Sequence, residues 1–174
     1  MRSLSNLKPQ DILALLKILT WEGRPKWMGI ELAREVGLSP FEISVGLERS
    51  RRAGFLDASK RKVIKSALLE FLIHGLKYVY PAHPGALCRG VPTAHSASPL
   101  AGKIVANDQD HYVWPTDDGT RRGQAIAPLC KSAPHAALKD PSLHELLALV
   151  DAIRIGRARE REMAIRELTK RLSV

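Results

Sequence analysis

Residues 37–56 read GLSPFEISVGLERSRRAGFL and carry start and stop signals for a single helix. Ser39 fits the N-cap, Pro40 fits the first helical position, and Glu42 completes a capping box three residues after the cap. Gly54 follows at the other end, as glycine often does after a helix. The sequence therefore predicts a helix that starts at Pro40 and that Gly54 ends.

Apolar spacing predicts two further helices upstream. The first begins after Pro9 and has an apolar stripe formed by Ile12, Leu15, Leu16 and Leu19. The second runs from about Met28 to Val36, where Gly37 stops it. Only about three residues then precede the next helix, which predicts a helix-turn-helix whose second helix can enter a DNA major groove.

A small basic hairpin is predicted directly after this helix pair. Phe55–Ala58 and Lys62–Ile64 are short β-like runs on either side of Ser59-Lys60-Arg61, and a hairpin in this position has the form of a wing. Arg49 to Lys65 hold seven basic residues against the single acidic Asp57. Such a cluster is typical of a surface that binds a polyanion, and a solvated helix face is the alternative.

The overall composition excludes several classes of protein. The chain has 174 residues, a formal net charge of +9 and 45% hydrophobic residues, which is too apolar for a disordered basic tail. Its most apolar stretch, Ala67–Ile73, contains Glu70 and falls far short of the ~18 residues that a membrane span needs. No signal-peptide pattern follows Arg2, and two cysteines cannot form a disulfide framework. We therefore expect a soluble cytoplasmic protein with no membrane partner.

Composition divides the chain into regions 1–80, 81–139 and 140–174. At the end of the first region, Ser66–Tyr80 is a strongly apolar helix that either packs under the body or forms part of a dimer interface. In the third region Asp140 is a predicted N-cap, and Gly156 permits a break in the helical segment that follows.

The middle region is predicted to contain a loop and a hairpin. Pro81–Gly102 holds four prolines, which break regular elements, so an ordered loop or a wrapping arm is expected. Tyr112–Trp114 and Gln124–Ile126 are predicted to form a β-hairpin around a turn at Asp117–Gly119. The predicted fold class is mainly α with a small β wing: a winged helix-turn-helix domain, a loop-rich middle segment and C-terminal helices.

Several residues of the middle region have the chemistry of metal ligands. The imidazole and thiol candidates are His83, Cys88, His95, Cys130 and His135, and a hard cation or an acid–base pair is conceivable at Asp108, Asp110 and His111. None of the soft ligands stands in a close pair such as two cysteines two residues apart, so loop residues are the favoured interpretation. No glycine-rich phosphate loop with its lysine and no nucleophile elbow occurs in the sequence. We expect no enzyme activity, no metal and no cofactor.

A resemblance to MarR-like winged helix-turn-helix regulators rests on Gly37–Pro40, Ile43-Ser44, Leu47, Arg49 and Ala53–Leu56. It spans Lys8 to Lys65, little more than a third of the chain. The resemblance implies a bacterial transcription regulator that binds a palindromic operator as a homodimer.

The resemblance also implies which side chains face DNA. Positions that face DNA in the family are matched by Ser39, Phe41, Ser44, Val45 and Arg49, and backbone or wing contacts by Arg51, Arg52, Lys60, Arg61 and Lys62. Lys65 ends the same basic cluster and is predicted to contact phosphate as well. Glu48 departs from the family, in which a neutral or basic residue is usual, and as a base reader it would accept a hydrogen bond from a cytosine amino group.

The downstream part of the chain has a resemblance of its own. Residues from His111–Pro115 through Leu149–Ile153 to Gly156–Glu162 resemble the C-terminal half of bacterial winged-helix proteins encoded beside nucleotidyltransferase-type toxins. The leading hypothesis is sequence-specific duplex DNA binding for transcription regulation by a homodimer. The alternative is an antitoxin-like module that binds a partner enzyme encoded nearby and autoregulates its operon.

Overall fold

A computed structural model describes residues 6–24, 26–104 and 111–172. Within them the chain is mainly α-helical with one small β-sheet, which confirms the predicted fold class at that level. The helices are α1 (Pro9–Thr20), α2 (Gly29–Val36), α3 (Pro40–Arg52), α4 (Lys65–Glu70), α5 (Leu76–Val79), α6 (Ala133–Lys139), α7 (Pro141–Ile155) and α8 (Ala158–Leu172). The strands are β1 (Leu87–Pro92), β2 (Tyr112–Pro115) and β3 (Arg121–Ala125). None of the described helices is long and apolar enough to cross a membrane.

Local signals around α2 and α3 act as predicted. Gly37 adopts a left-handed conformation with φ 69° and ends α2. The hydroxyl of Ser39 accepts a hydrogen bond from the Glu42 amide at 3.2 Å, and the Glu42 carboxylate accepts one from the Ser39 amide at 2.9 Å. This capping box starts α3 at Pro40, and the helix ends at Arg52, close to the predicted end.

The predicted wing contains little β-structure. Leu56 and Val63 form one isolated antiparallel bridge, and the Asp57 amide donates to the Lys62 carbonyl at 3.0 Å. Residues 55–64, called the basic hairpin below, therefore turn back on themselves after α3 without forming a regular sheet.

The three-stranded sheet lies in the middle region, where two predictions are wrong. β1 forms inside the segment expected to be an ordered loop or a wrapping arm, and β2 and β3 pair in parallel rather than as a hairpin. β1 lies antiparallel to both, pairing with β2 through Gly90–Pro92 and with β3 through Leu87–Gly90. Both predictions are wrong because β1, which comes from a distant segment, pairs antiparallel with β2 and with β3. The turn signals between β2 and β3 act over neighbouring residues only and do not reveal this partner.

Two glycines allow the strands of this sheet to approach closely. A Cβ atom at Gly119 would overlap the backbone of Gly90, and one at Gly90 would overlap the carbonyl of Trp114. The Gly119 amide donates to the Thr116 carbonyl at 3.1 Å. The turn predicted at Asp117–Gly119 is thus confirmed, although the strands that it joins do not form a hairpin.

α7 lies at the centre of the core. Asp140 caps it by accepting hydrogen bonds from the amides of Ser142 and Leu143 at 2.9 and 3.2 Å, as expected for a predicted N-cap followed by Pro141. Every residue from Leu146 to Ile153 is buried. Buried side chains from all three regions of the sequence join α7 in one continuous core.

The apolar helix that follows the basic hairpin packs into the body of the chain. It runs through α4, a π-helical turn at Phe71–Gly75 and α5, and it buries Leu68, Leu72 and Leu76. The C-terminal helix α8 likewise buries Ala164, Leu168 and Leu172. Most of both apolar stripes is therefore covered within one chain, although Val79 is 54% exposed, and the homodimer stays a prediction.

Asp140 also joins α7 to α1. It accepts hydrogen bonds from Lys17 Nζ at 2.8 Å and from the Thr20 hydroxyl at 3.0 Å, and the buried Lys17 ammonium lies 3.2 Å from the Glu35 carboxylate. Burial on its own would raise the pKa of Asp140, but the hydrogen bonds from Lys17, the Leu143 amide and Thr20 outweigh it and hold the pKa below 3.8.

We expect Asp140→Ala to lower the free energy of unfolding by about 2–4 kcal/mol, because it removes a helix cap and one of two carboxylates around a buried lysine. Urea denaturation at neutral pH measures the loss, and Asp118→Ala, which removes an exposed turn carboxylate, serves as a control expected within ~0.5 kcal/mol of wild type. The stabilisation by Asp140 is present above pH 3.8 and is lost as the pH falls through the lower pKa of the folded state. The gap between wild type and variant should therefore narrow in acid, and a constant gap would contradict this account.

Candidate nucleic-acid interface

The exposed side of α3 carries three of the predicted base-reading residues. Phe41 is 77% exposed, Ser44 is exposed and Val45 is half-buried. Ser39 lies at the start of the helix, where its hydroxyl takes part in the capping box. The first half of α3 thus presents apolar groups and a hydroxyl, which can contact a thymine methyl group and base edges.

Arg49 is predicted to face DNA, and the structure shows that this is wrong. Its side chain is buried, and its Nε and Nη2 atoms donate to the two carboxylate oxygens of Asp11 at 2.7 and 2.6 Å. These bonds raise the pKa of Arg49 against the opposing effect of burial. Gly46 leaves room for the pair, since a Cβ atom there would lie 2.6 Å from Asp11 Oδ1. A buried carboxylate on α1 draws the guanidinium inward, and the periodicity of α3 alone cannot reveal that partner.

Glu48 brings together three of the cations predicted to contact phosphate. Its carboxylate lies 2.7 Å from Arg51 Nη2, 3.0 Å from Arg52 Nε and 2.8 Å from Lys60 Nζ. Hydrogen bonds from Arg51, Lys60 and Arg52 hold the pKa of Glu48 well below its usual range. Both carboxylate oxygens are engaged, so Glu48 orients and partly neutralises this cluster rather than pointing at a base.

The other predicted phosphate contacts have different surroundings. The Arg61 guanidinium lies 4.5 Å from the centre of the Trp27 ring and donates to the Trp27 carbonyl. Lys65 forms an ion pair with Glu22 at 2.7 Å, whereas Lys62 is exposed on the basic hairpin. Arg61 is therefore held in a fixed direction, and part of the charge of Lys65 is offset.

A groove beside the basic hairpin contains two cations that the sequence analysis missed. This basic groove has a volume of about 480 Å³ and is lined by Arg24, Lys26, Trp27, Met28, Arg61 and Lys62. Four of these six lining residues are cationic and none is acidic. Arg24 lies 4.8 Å from the centre of the Trp21 ring and is paired with Glu31 at 2.8 Å. The charges of Arg24 and Lys26 were visible in the sequence, but only the fold places the α1–α2 loop against the hairpin.

The candidate soft ligands are dispersed. Among the residues that the structure describes, no three His, Cys, Asp or Glu side chains lie together as a metal site would require. His95 is buried, with its Nδ1 atom 3.7 Å from a Glu160 carboxylate oxygen, and His83 is exposed. Burial raises the pKa of the Cys130 thiol.

The remaining candidates fall in two places. Cys88 and His135 line one cleft between the sheet and α6. His111 Nδ1 lies 3.3 Å from the Ser96 hydroxyl, whereas Asp108 and Asp110 lie outside the described residues. The hypothesis of a hard cation or an acid–base pair at these three residues is therefore untested.

No family model, no curated protein and no solved structure matches the chain. The resemblance to MarR-like regulators stays a prediction.

We expect Arg49→Ala to destabilise the protein by about 3–5 kcal/mol, because it leaves the Asp11 carboxylate buried and without its guanidinium partner. Arg52→Ala, at a side chain that is 57% exposed, is the matched control and should change stability by less than ~0.5 kcal/mol. Urea denaturation of both variants makes the comparison. Equal stability of the two variants would show that Arg49 is not held by Asp11.

Proposed function

We propose that this protein binds duplex DNA through α3 and regulates transcription, with α2, α3 and the basic hairpin acting as a winged helix-turn-helix. One observation carries the proposal. The exposed first half of α3 has cations nearby: Arg51, Arg52 and Lys60 gather around Glu48 further along the helix, and Lys60 and Arg61 of the basic hairpin line one groove with Pro40 and Ser44. A helix of major-groove size with phosphate-binding groups beside it fits the needs of duplex recognition.

The proposed roles follow from position along α3. Phe41, Ser44 and Val45 lie where side chains at the start of a recognition helix would contact base edges. The cations at the end of α3 and on the basic hairpin would contact phosphates, which position the helix without reading sequence. Arg49 has a supporting role, because its ion pair with Asp11 ties α3 to α1.

Glu48 then sets how strongly the protein binds. When DNA binds, each of the three cations around Glu48 must either leave its carboxylate for a phosphate or contact both groups. The Glu48 carboxylate is charged near neutral pH, and its lowered pKa keeps it charged in acid as well, so it limits the electrostatic attraction of these cations for DNA.

Two variants should have opposite effects on affinity for duplex DNA. Arg51→Ala with Arg52→Ala should weaken binding to every sequence and lower the log–log salt slope by about 0.9 for each phosphate that the variant no longer neutralises. Glu48→Gln should strengthen binding and steepen the slope, because it releases three cations. Fluorescence anisotropy over a range of salt concentrations, with one duplex selected from genomic fragments and one unrelated duplex, measures both effects.

Controls for these variants come from α8 and the residue before it. Arg157→Ala with Arg159→Ala removes two exposed arginines, and Glu162→Gln removes one carboxylate that is 70% exposed. If net charge alone governs binding, each control will match its α3 counterpart. That result, or a wild-type protein that binds neither duplex, would overturn the proposal.

A second candidate function, an antitoxin-like module that binds a partner protein, is favoured by one observation. Three large apolar side chains are exposed at the starts of α2 and α3: Met28 by 61%, Ile30 by 62% and Phe41 by 77%. Exposed apolar groups that lie beside cations suit a protein surface of mixed apolar and acidic character.

Photo-crosslinking from position 41 separates the two functions. A photoreactive phenylalanine in place of Phe41 should give a nuclease-sensitive adduct in cells if α3 contacts DNA, and a discrete protease-sensitive adduct if it contacts a partner protein. The same group in place of Tyr78, which is 73% exposed on α5, is the control and should give neither adduct above background. A dominant protein adduct at position 41 would favour the second function over DNA binding.

A further inference from the structure

Two arginines face each other across the sheet, remote in sequence from α3. In the antiparallel pairing of β1 and β3, Arg89 lies directly opposite Arg122, and Arg121 lies opposite Gly90. All three arginines are exposed. Directly opposed residues of an antiparallel pair project from the same face with Cβ atoms about 5 Å apart, so the two guanidinium groups of Arg89 and Arg122 share one surface.

This pairing of like charges is unfavourable in isolation. Directly opposed like charges destabilise a sheet. Over residues 6–24, 26–104 and 111–172, neither Arg89 nor Arg122 forms an ion pair with an acidic side chain. Buried Arg49 and Arg154, by contrast, each contact an aspartate within 2.7 Å. We therefore expect an anionic ligand to supply the counter-charge of the arginine pair on the sheet.

A cleft of about 790 Å³ opens beside Arg89, between the sheet and α6. Lys131 and His135 add a cation and an imidazole to its wall, while Pro134 and Leu138 supply apolar surface. Asp117 and Asp118 of the β2–β3 turn also line it, so two carboxylates share the cleft with the cations of Arg89 and Lys131. The cleft can take a ligand that has an anionic end and a compact remainder.

We infer that Arg89 and Arg122, with the adjoining cleft, form a second anion site that binds phosphate groups. Two guanidinium forks fit the oxygens of a phosphate through paired hydrogen bonds, which a lysine ammonium cannot do. The site is separate from α3 and does not depend on the proposed duplex binding. α6 links the two areas, because it lines the cleft and begins beside Ser132, whose Cβ atom lies 3.4 Å from the Cβ position at Gly37 after α2. The phosphate belongs either to a nucleic-acid backbone or to a small phosphorylated molecule.

Calorimetric titration with inorganic pyrophosphate and anisotropy with a duplex test the site. The double variant Arg89→Ala with Arg122→Ala is compared with Arg157→Ala and Arg159→Ala, which remove the same charge at the start of α8. We expect the sheet variant to lose at least tenfold in pyrophosphate affinity and the control to lose little. Arg51→Ala with Arg52→Ala should retain pyrophosphate binding, which separates this site from the interface on α3.

The duplex arm identifies the source of the phosphate. If it is a nucleic-acid backbone, the sheet variant also binds the duplex more weakly, and its log–log salt slope falls by about 0.9 for each phosphate no longer neutralised. If it is a small molecule, duplex binding is unchanged while pyrophosphate binding is abolished. A charge-retaining variant, Arg89→Lys with Arg122→Lys, should bind pyrophosphate with intermediate affinity. This variant serves as a control for misfolding of the alanine variant. The inference is overturned if the sheet variant and its control at the start of α8 bind both probes equally.

Discussion

The carboxylate of Asp151 is the contact on which the arrangement of the whole chain depends. It lies in the middle of α7, 1% exposed, where an ionised group without partners would be very costly. Trp114 Nε1 and the Thr93 hydroxyl each donate to one oxygen at 2.7 Å, and Arg154 Nη1 lies 2.7 Å from the other. One buried side chain thus fixes β2 and the end of β1 against α7.

Arg154 extends the same network to the first region of the chain. Its Nε atom donates to the carbonyl of Tyr80 at 2.9 Å, just after α5, and the Tyr80 hydroxyl donates to the Leu7 carbonyl at 2.6 Å before α1. Segments that composition separates into three regions are therefore joined through buried and partly buried polar contacts. Such contacts add little net stability compared with apolar packing, but they restrict which packing is allowed, since any other arrangement leaves a charge unpaired.

The ion pair between Asp11 and Arg49 applies the same constraint to the proposed interface. Two parallel hydrogen bonds hold the side of α3 that faces α1, and Gly46 provides the space for them. The opposite side of α3 is left to Phe41, Ser44 and Val45. The buried ion pair between Asp11 and Arg49 consequently sets the direction of the exposed face of α3. Glu48 partly neutralises the cations at the end of this helix and on the basic hairpin.

The sequence by itself determined the end of α2 and the starts of α3 and α7, because these start and stop signals act over a few residues, whereas α6 was not predicted. Ser39 with Glu42, Gly37, and Asp140 each work through hydrogen bonds or backbone conformations within one turn, and each lies where it was predicted. The location of the basic cluster could also be predicted, although the groove cations Arg24 and Lys26 were missed. Tertiary structure alone decided which distant partner a charge has, whereas Glu48 pairs with Arg51 and Arg52 within its own helix. Contacts between distant segments paired β1 with β2 and β3 and set Arg89 opposite Arg122. A further long-range contact turned Arg49 inward to Asp11. The sequence does not show these contacts, because the segments are tens of residues apart and meet only when the core forms.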